Sequence, residues 1–360
     1  MNLGIVTLRA LVLTVVMCGC AFASSIQYRV IDIGSLGGNS YASAINNLGQ
    51  VVGGSYTSTG EHQAFVYSEG RIRSLGSPFE SVNSYATGIN DSGRIVGEYI
   101  NNSVRGAFTY YNGVSTGIIT NSGRYLSSAT GINNAGQISG YSSLLNGMMG
   151  VTALLYTGGE LTGTGPASSL AGAYSAAFGL NDNGDMVGFS YTDSGYEHAF
   201  LYADGKMIDV GTISSALGST SYGYAINNLG QIVGTSGGNA FSYYDGSMID
   251  LGLLPGGRYS TAYGVNDNGQ IVGEAYVGFD RRAFLYSEDM MYDLNSLTIN
   301  DGFNILTASG INQNGWIVGT ALVNGQEHAV LLQPVPLPAT IWLLGSGLAG
   351  LGCFQRFRRK

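Results

Sequence analysis

The body of this 360-residue chain contains no cysteine, because Cys18 and Cys20 lie near the N-terminus and Cys353 lies near the C-terminus. Neither a disulfide framework nor thiol chemistry is therefore available between them. Histidine occurs only three times, which leaves most metal centres and nucleophilic triads without their usual side chains. No stretch of helical length carries apolar residues at a 3.6-residue spacing, and this excludes a helical architecture for the body.

Charge is also scarce, since only 11% of the residues are charged. All 23 acidic residues lie between Asp32 and Glu327. Residues 24–355 hold these 23 acidic residues and 10 basic ones, so the body has a net charge of −13. Such a body repels phosphate backbones, so nucleic-acid binding is not expected. Glycine is abundant, with 57 copies, but 44% of the residues are apolar, which excludes collagen and a disordered polar chain.

The N-terminus has the features of a secretory signal peptide over residues 1–23. Arg9 precedes an apolar run over residues 10–17, which is too short to span a bilayer, and Ala21-Phe-Ala23 suits signal peptidase. We expect cleavage after Ala23. Lipid attachment at Cys18 or Cys20 is the alternative.

The C-terminus combines a short motif, an apolar segment and a basic end. The motif is Val335, Pro336, Leu337, Pro338 and Ala339; the apolar segment covers residues 339–354; the basic cluster is Arg356, Arg358, Arg359 and Lys360. The segment is long enough for a single transmembrane helix, and the basic cluster should hold that end in the cytoplasm. A plain membrane anchor would have the same features.

This tail resembles the PEP-CTERM family of bacterial sorting tails, in the variant that opens with Val-Pro-Leu-Pro-Ala. The resemblance implies recognition and cleavage by an exosortase, a membrane-embedded transpeptidase, in a Gram-negative bacterium that makes exopolysaccharide. Leu337 stands where the commonest form of the motif has Glu.

A unit of about 44 residues occurs seven times between the two ends. Each copy contains a small residue, an aliphatic residue and then Asn-x-x-Gly-x-aliphatic-x-Gly. We call the Asn of this turn the repeat asparagine: Asn46, Asn90, Asn133, Asn181, Asn227, Asn266 and Asn312. A second element follows about eleven residues later, as in Ala64-Phe-Val-Tyr67, and a third follows after a turn, as in Met207-Ile-Asp-Val210.

Each unit predicts four short β-strands. Its apolar runs are rich in Ile, Val, Tyr and Phe and are separated by Gly, Asn and Asp. In the Asn-x-x-Gly turn the Asn side chain can bond the backbone two residues on, and Gly supplies a positive φ. About eleven residues per strand and turn is the size of a propeller blade.

The phase of the repeats predicts how the ring closes. Tyr28-Arg-Val-Ile-Asp-Ile33 matches the third element and precedes the first unit, whereas the last unit ends at Leu332 without that element. The N-terminal strand should therefore complete the seventh blade and remove the open edge. We predict an all-β fold, a seven-bladed β-propeller of antiparallel four-stranded blades. The predicted domains are a signal peptide (1–23), the propeller (24–332) and a sorting tail (333–360).

The units also resemble the HAF repeat family of extracellular bacterial proteins, named for a His-Ala-Phe triplet. The triplet is intact at His198-Ala-Phe200 and partial at His62-Gln-Ala-Phe65 and His328-Ala-Val330. The resemblance implies an extracellular repeat protein of uncharacterised activity.

The motifs that suggest chemistry have simpler explanations. Gly113-Val-Ser-Thr-Gly117 lacks the strand-to-helix turn of a nucleophile elbow, and Gly345-Ser-Gly-Leu-Ala-Gly350 lies inside the tail. The three histidines each follow a Glu in what reads as one repeat register, so they should be spread around the ring rather than converge on a metal.

Two Asn- and Asp-rich turns, at residues 181–185 and 266–269, resemble the start of a calcium loop but lack the Gly and Glu of an EF-hand. Calcium binding between blades is the alternative interpretation of these turns.

The sequence therefore predicts an exported, non-enzymatic protein with a structural or adhesive role, without cofactor, catalytic residue or metal site. Its expected partners are signal peptidase, exosortase, the membrane before processing, and exopolysaccharide or surface glycans. The expected location is the cell surface or the extracellular matrix, after transient anchoring in the inner membrane.

A lectin-like propeller is the alternative, with shallow pockets between blades and tyrosines such as Tyr56, Tyr141, Tyr191 and Tyr276 near the rim. A hydrolase or lyase would need carboxylates near the axis, and no acidic residue recurs in the first strand of the units.

Overall fold

The computed structural model describes residues 26–76, 83–101, 104–118, 127–143, 151–163, 171–214, 219–299 and 302–335. These residues form seven four-stranded antiparallel sheets, the blades, and one turn of 3-10 helix at Leu294–Leu297. The compact unit that contains them extends over Gln27–Pro336. The predicted signal peptide and the predicted transmembrane segment lie outside the described residues. No helix within the described ranges is long and apolar enough to cross a membrane.

The first three blades follow one another along the chain. Their strands are β2 (Gly37–Ile45), β3 (Val51–Thr57), β4 (His62–Ser68) and β5 (Arg71–Ser74) in blade 1; β6 (Asn83–Ile89), β7 (Ile95–Asn101), β8 (Val104–Tyr111) and β9 (Val114–Gly117) in blade 2; and β10 (Ser128–Ile132), β11 (Ile138–Ser143), β12 (Val151–Thr157) and β13 (Glu160–Gly163) in blade 3.

The next three blades repeat this order, and the seventh does not. The strands are β14 (Ala171–Leu180), β15 (Met186–Thr192), β16 (Glu197–Ala203) and β17 (Lys206–Gly211) in blade 4; β18 (Ser221–Ile226), β19 (Ile232–Ser236), β20 (Asn239–Tyr244) and β21 (Ser247–Gly252) in blade 5; β22 (Gly257–Val265), β23 (Ile271–Val277), β24 (Asp280–Ser287) and β25 (Met290–Asp293) in blade 6; and β26 (Asn304–Ile311), β27 (Ile317–Val323), β28 (Gln326–Val335) and β1 (Gln27–Gly34) in blade 7.

Blade 7 closes the ring with a strand from the opposite end of the chain, as predicted. Strand β1 pairs antiparallel with β28, from Gln27 opposite Val335 to Gly34 opposite Ala329. Tyr28, Val30 and Ile33 are buried there, so closure removes both an open edge and an apolar surface from water. The prediction of a seven-bladed antiparallel β-propeller is confirmed. Strand β28 continues to Val335, three residues beyond the predicted end of the propeller.

The hydrophobic core is formed by apolar side chains packed between the sheets of successive blades. The Phe of the Ala-Phe element is fully buried in five blades, at Phe65, Phe108, Phe200, Phe241 and Phe284. Between blades 7 and 1, for example, Val318 and Leu331 pack with Val51 and Phe65 in one apolar cluster. Each sheet is thus covered on both faces, which explains why its strands lack a strict apolar–polar alternation.

The glycine of the second strand in each unit permits the inner strands to approach closely. A Cβ at Gly53 would lie 2.0 Å from the carbonyl oxygen of Tyr41, and one at Gly188 would lie 1.9 Å from that of Ala176. Only a residue without a side chain fits at these positions.

Candidate functional site

The seven repeat asparagines form a closed ring of hydrogen bonds at one end of the central channel. Each Nδ2 donates to the backbone carbonyl oxygen of the repeat asparagine in the next blade at 3.0–3.2 Å, and Asn312 Nδ2 to Asn46 O completes the ring. Each Oδ1 accepts from the backbone N–H four residues on. All seven side chains are buried. The same residue therefore shapes the turn and joins two blades.

A second ring lies one residue further along each turn. Its members are Asn47, Asp91, Asn134, Asp182, Asn228, Asp267 and Gln313, and each backbone N–H donates to the side-chain oxygen of the next member at 2.8–3.0 Å. The carboxylates of Asp182 and Asp267, which belong to the turns considered for calcium, accept these bonds. Within the described residues no group of three or more His, Cys, Asp or Glu side chains is placed to hold a metal ion.

A cavity of about 530 Å³, which we call the channel mouth, opens at the end of the channel away from the asparagine ring. Its lining comes from six of the seven blades: Tyr41, Ala42, Ser43, Thr130, Phe178, Tyr224, Tyr263, Glu274, Arg281, Thr307, Ser309, Thr320 and Glu327. This size is within the range of pockets that hold a small molecule.

Blade 7 differs from blade 1 in the residues beside the channel mouth. Thr307 and Thr320 occupy the positions that Tyr41 and Gly54 occupy in blade 1. In blade 1 the space beside Gly54 is filled by the ring of His62, because a Cβ at Gly54 would lie 2.1 Å from His62 Cε1. The corresponding residue of blade 7, Glu327, leaves this space open to the cavity.

Three consecutive blades contribute an aromatic wall to the channel mouth, which we call the aromatic arc: Phe178, Tyr224 and Tyr263. The rings of Phe178 and Tyr224 are stacked with their centroids 5.4 Å apart, and those of Tyr224 and Tyr263 are tilted at the same distance. In blades 2, 3 and 7 the same position holds Thr87, Thr130 or Ser309, whose hydroxyl donates to a carbonyl of the next blade at 2.6–3.0 Å. The channel thus has one aromatic side and one hydroxyl-bearing side.

Two carboxylates and one guanidinium provide the charge of the cavity. Tyr263 Oη donates to Glu274 Oε1 at 3.0 Å, and Arg281 Nη2 lies 3.3 Å from Glu327 Oε1 across the interface of blades 6 and 7. Burial raises the pKa of Tyr224 and Tyr263, and the nearby negative charge of Glu274 raises both pKa values further.

His62 does not share the register of His198 and His328, which corrects the prediction made for the three histidines. His62 pairs with Tyr56 and lies two residues before Ala64, whereas His198 pairs with Ser190 and lies directly before Ala199. The inserted Gln63 shifts the first histidine by one residue and therefore to the other face of its strand. His62 is buried and stacks against Tyr85 with ring centroids 4.3 Å apart.

The other two histidines, His198 and His328, bind the carboxylates of Asp209 and Asp32 through Nδ1 at 2.9 Å.

The structure places the other predicted site residues as follows. The seven repeat asparagines meet in one ring, and Val335 ends strand β28. The other four residues of the sorting motif and the basic cluster at residues 356–360 lie outside the described residues.

Sequence reasoning missed the residues of the channel mouth. When the units are aligned on the repeat asparagine, the third residue before it is Ser or Thr in four blades and aromatic in three successive ones. That break in the repeat was the available signal. It required the register of the inner strand, which the structure supplies.

Comparisons with known proteins agree on the fold and on the tail. Residues 334–359 match the family model described as the PEP-CTERM protein-sorting motif. The sequence matches no curated protein.

Among solved structures, the chain is similar to the extracellular domain of a B. thetaiotaomicron protein described as a one-component system. The identity is 13% and the TM-score 0.54, over 87% of this chain and 41% of that one. It is also similar to a puromycin-hydrolyzing peptidase of Mycobacterium tuberculosis, with 10% identity and a TM-score of 0.51 over 88% of this chain and 54% of that one. At these identities the likeness shows the propeller fold alone, and the chain spans about half the length of these structures or less. The C-terminal segment carries a PEP-CTERM sorting motif, which implies sorting and processing by an exosortase.

Proposed function

We propose that this protein is an exported, exosortase-processed propeller that binds a saccharide in its channel mouth and acts, without catalysis, as an adhesive component of the cell surface or extracellular matrix. The observation that carries the proposal is the combination of an aromatic arc, carboxylates and hydroxyl groups in one cavity of about 530 Å³.

The chemistry of this cavity suits a sugar ring. A pyranose has an apolar face of C–H groups that packs on an aromatic ring, as on Tyr224 or Phe178, and a rim of hydroxyl groups that needs donors and acceptors. Glu274 and Glu327 supply acceptors, while Arg281 and the hydroxyl groups of Thr307 and Thr320 supply donors.

One axial site is favoured over several equivalent sites between blades. At the interface of blades 1 and 2 the corresponding space contains the stacked rings of Tyr41, His62 and Tyr85. In blade 7, which lines the cavity, Thr307 stands at the position of Tyr41 and Glu327 stands in place of His62. The proposed binding stoichiometry is therefore one saccharide per propeller.

A binding role is favoured over hydrolysis because each carboxylate in the cavity accepts from a neighbouring donor through one of its oxygens. Glu274 accepts the hydroxyl of Tyr263, and Glu327 pairs with Arg281. A glycosidase needs one carboxyl group that donates a proton to the leaving oxygen and a second one on the other side of the bond, whereas both carboxylates here accept from donors. Chromatography of a bound oligosaccharide after prolonged incubation tests this point, since the appearance of shorter products would overturn the non-enzymatic role.

Titration calorimetry against an oligosaccharide panel, including the producer's own polysaccharide, tests binding. Tyr224→Ala should lower the affinity about ten- to hundredfold, since stacking and buried contact area are lost. Tyr244→Ala is the matched control, because Tyr244 is exposed beside the turn between β20 and β21, at the opposite end of its blade. Equal affinities of the two variants would place the ligand elsewhere, and the absence of any binding to saccharides would overturn the proposal.

The surface location rests on the sorting motif, and the HAF resemblance supports an extracellular setting. Cell fractionation combined with C-terminal mass spectrometry, in cells with and without the exosortase, tests it. We expect a shortened, released or surface-bound protein in normal cells and an intact tail in the membrane fraction of the mutant. An intact tail in normal cells would overturn the sorting part of the proposal.

A further inference from the structure

The charged side chains among the described lining residues of the channel mouth sum to one negative charge. They are those of Glu274, Glu327 and Arg281. Arg281 lies against Glu327, whereas the partner of Glu274 is the neutral hydroxyl of Tyr263. That bond uses Oε1, so among the described residues Oε2 of Glu274 is left as an acceptor toward the cavity.

The aromatic arc lies beside this carboxylate. Tyr263 contacts Glu274 directly, and the ring of Tyr224 is 5.4 Å from that of Tyr263. Aromatic faces carry negative electrostatic potential, so rings next to a carboxylate form a site that attracts a cation both through the π-systems and through the charge.

The negative charge of Glu274 also affects the pKa values of the two tyrosines in the aromatic arc. Burial raises the pKa of both Tyr224 and Tyr263, and the Glu274 charge raises both further, because it disfavours a second negative charge nearby. A field that disfavours a phenolate stabilises an ammonium group at the same place. The body over residues 24–355, with its net charge of −13, adds a long-range attraction in the same direction.

We propose, on the basis of the function proposed above, that the saccharide carries a protonated amine, as in a hexosamine with a free amino group, and that Glu274 and the aromatic arc bind this ammonium. Glu274 Oε2 accepts a hydrogen bond from the ammonium, and Tyr224 presents its face to it. Neutral N-acetylated sugars bind more weakly because their amide places no charge beside Glu274, and acidic sugars are repelled.

Titration calorimetry with a matched pair of probes tests this: a β-1,4-linked glucosamine tetramer and the corresponding N-acetylglucosamine tetramer, at about pH 6, where an amine is protonated. We expect the glucosamine tetramer to bind about ten- to hundredfold more tightly. Raising the salt concentration should reduce this preference, because exposed charges are screened.

Three variants separate charge from shape. Glu274→Gln should lower the affinity for the glucosamine tetramer about tenfold and leave the N-acetylated one within about threefold. Arg281→Gln should raise the glucosamine affinity, because it removes the cation of the cavity. Glu288→Gln is the control, since Glu288 is exposed in the turn between β24 and β25, away from the mouth.

The outcomes distinguish this inference from the function on which it rests. Equal or tighter binding of the N-acetylated tetramer, or a preference that survives Glu274→Gln, would overturn the ammonium site and leave saccharide binding intact. Failure of both tetramers together with every neutral saccharide of the panel would overturn the proposed function as well. Binding of neutral saccharides alone would overturn only the ammonium site.

Discussion

The asparagine ring offers the sharpest test of how the propeller is held together, and Asn266 is its most buried member at 1% exposure. Its Nδ2 donates to Gln270 Oε1 at 2.8 Å and to Asn312 O at 3.1 Å. Its Oδ1 accepts from the N–H groups of Asn268 and Gln270 at 3.1 and 3.0 Å. Replacing Asn266 by Ala removes all four bonds. At about 1 kcal/mol for each bond, the expected loss of unfolding free energy is about 4 kcal/mol.

Asn266→Asp separates the turn from the ring. The introduced carboxyl keeps the two acceptor bonds of the turn but replaces the donor by an oxygen that faces the Asn312 carbonyl. We expect a loss of about 2 kcal/mol or more from the two missing donor bonds. Burial should raise the folded-state pKa of this carboxyl above its unfolded value of about 3.9, so the deficit should be small below that pH and should grow as the pH rises through the folded-state pKa.

Urea unfolding followed by tryptophan fluorescence, at several pH values, measures these differences. Asn268→Ala is the matched control, because Asn268 belongs to the same turn, is exposed, and makes one inter-blade bond of 3.3 Å. Its expected cost is below about 1 kcal/mol. Equal midpoints for Asn266→Ala and Asn268→Ala, or a pH-independent deficit in Asn266→Asp, would refute the view that the ring bonds stabilise the closed propeller.

Three further predictions concern the closing strand and the buried histidine. Burial raises the pKa of Tyr28 to about 12, and its hydroxyl has no hydrogen-bond partner among the described residues. Tyr28→Phe should therefore keep or raise the urea midpoint, while Tyr28→Ala should lower the unfolding free energy by about 3–5 kcal/mol. A lower midpoint in Tyr28→Phe would reveal a hydrogen-bond partner. Val30→Asp places a charge at a buried position of β1 and should make blade 7 susceptible to limited proteolysis. Arg29→Asp should not, because Arg29 is exposed on the same strand. Equal resistance of the two variants to proteolysis would argue against closure by β1. Burial lowers the pKa of His62 below 6.5, so the unfolded chain binds more protons and stability should fall as the pH drops through about 6.5. His62→Gln should flatten this part of the stability profile, and an unchanged profile would contradict it.

Much of the architecture was predictable from the sequence because the signal is repeated. One Asn-x-x-Gly turn indicates a hairpin, but seven at a nearly constant spacing indicate a ring of sheets. The match of residues 28–33 to the third element also predicted which strand closes blade 7. Local turn chemistry and strand phase are properties of neighbouring residues, so the sequence alone determined them.

The second role of the repeat asparagine was not predictable in this way. Asn46 Oδ1 acts within its own turn, but Asn46 Nδ2 donates to Asn90 O, 44 residues away. Only the packing of adjacent blades brings these two atoms together. The register of His62 is a similar case, because one inserted residue moves a side chain from one sheet face to the other.

The candidate site depended even more on tertiary structure. Phe178, Tyr224, Tyr263, Glu274 and Glu327 come from four blades, and only the three aromatic residues share a repeat position. The sequence determined the seven-fold scaffold, since every unit repeats the same local hydrogen-bonding and burial pattern. The position of the cavity was decided by where the ring departs from that symmetry: blade 7 has Thr307 and Glu327 where blade 1 has the rings of Tyr41 and His62. Only the folded ring sets those positions around a common axis.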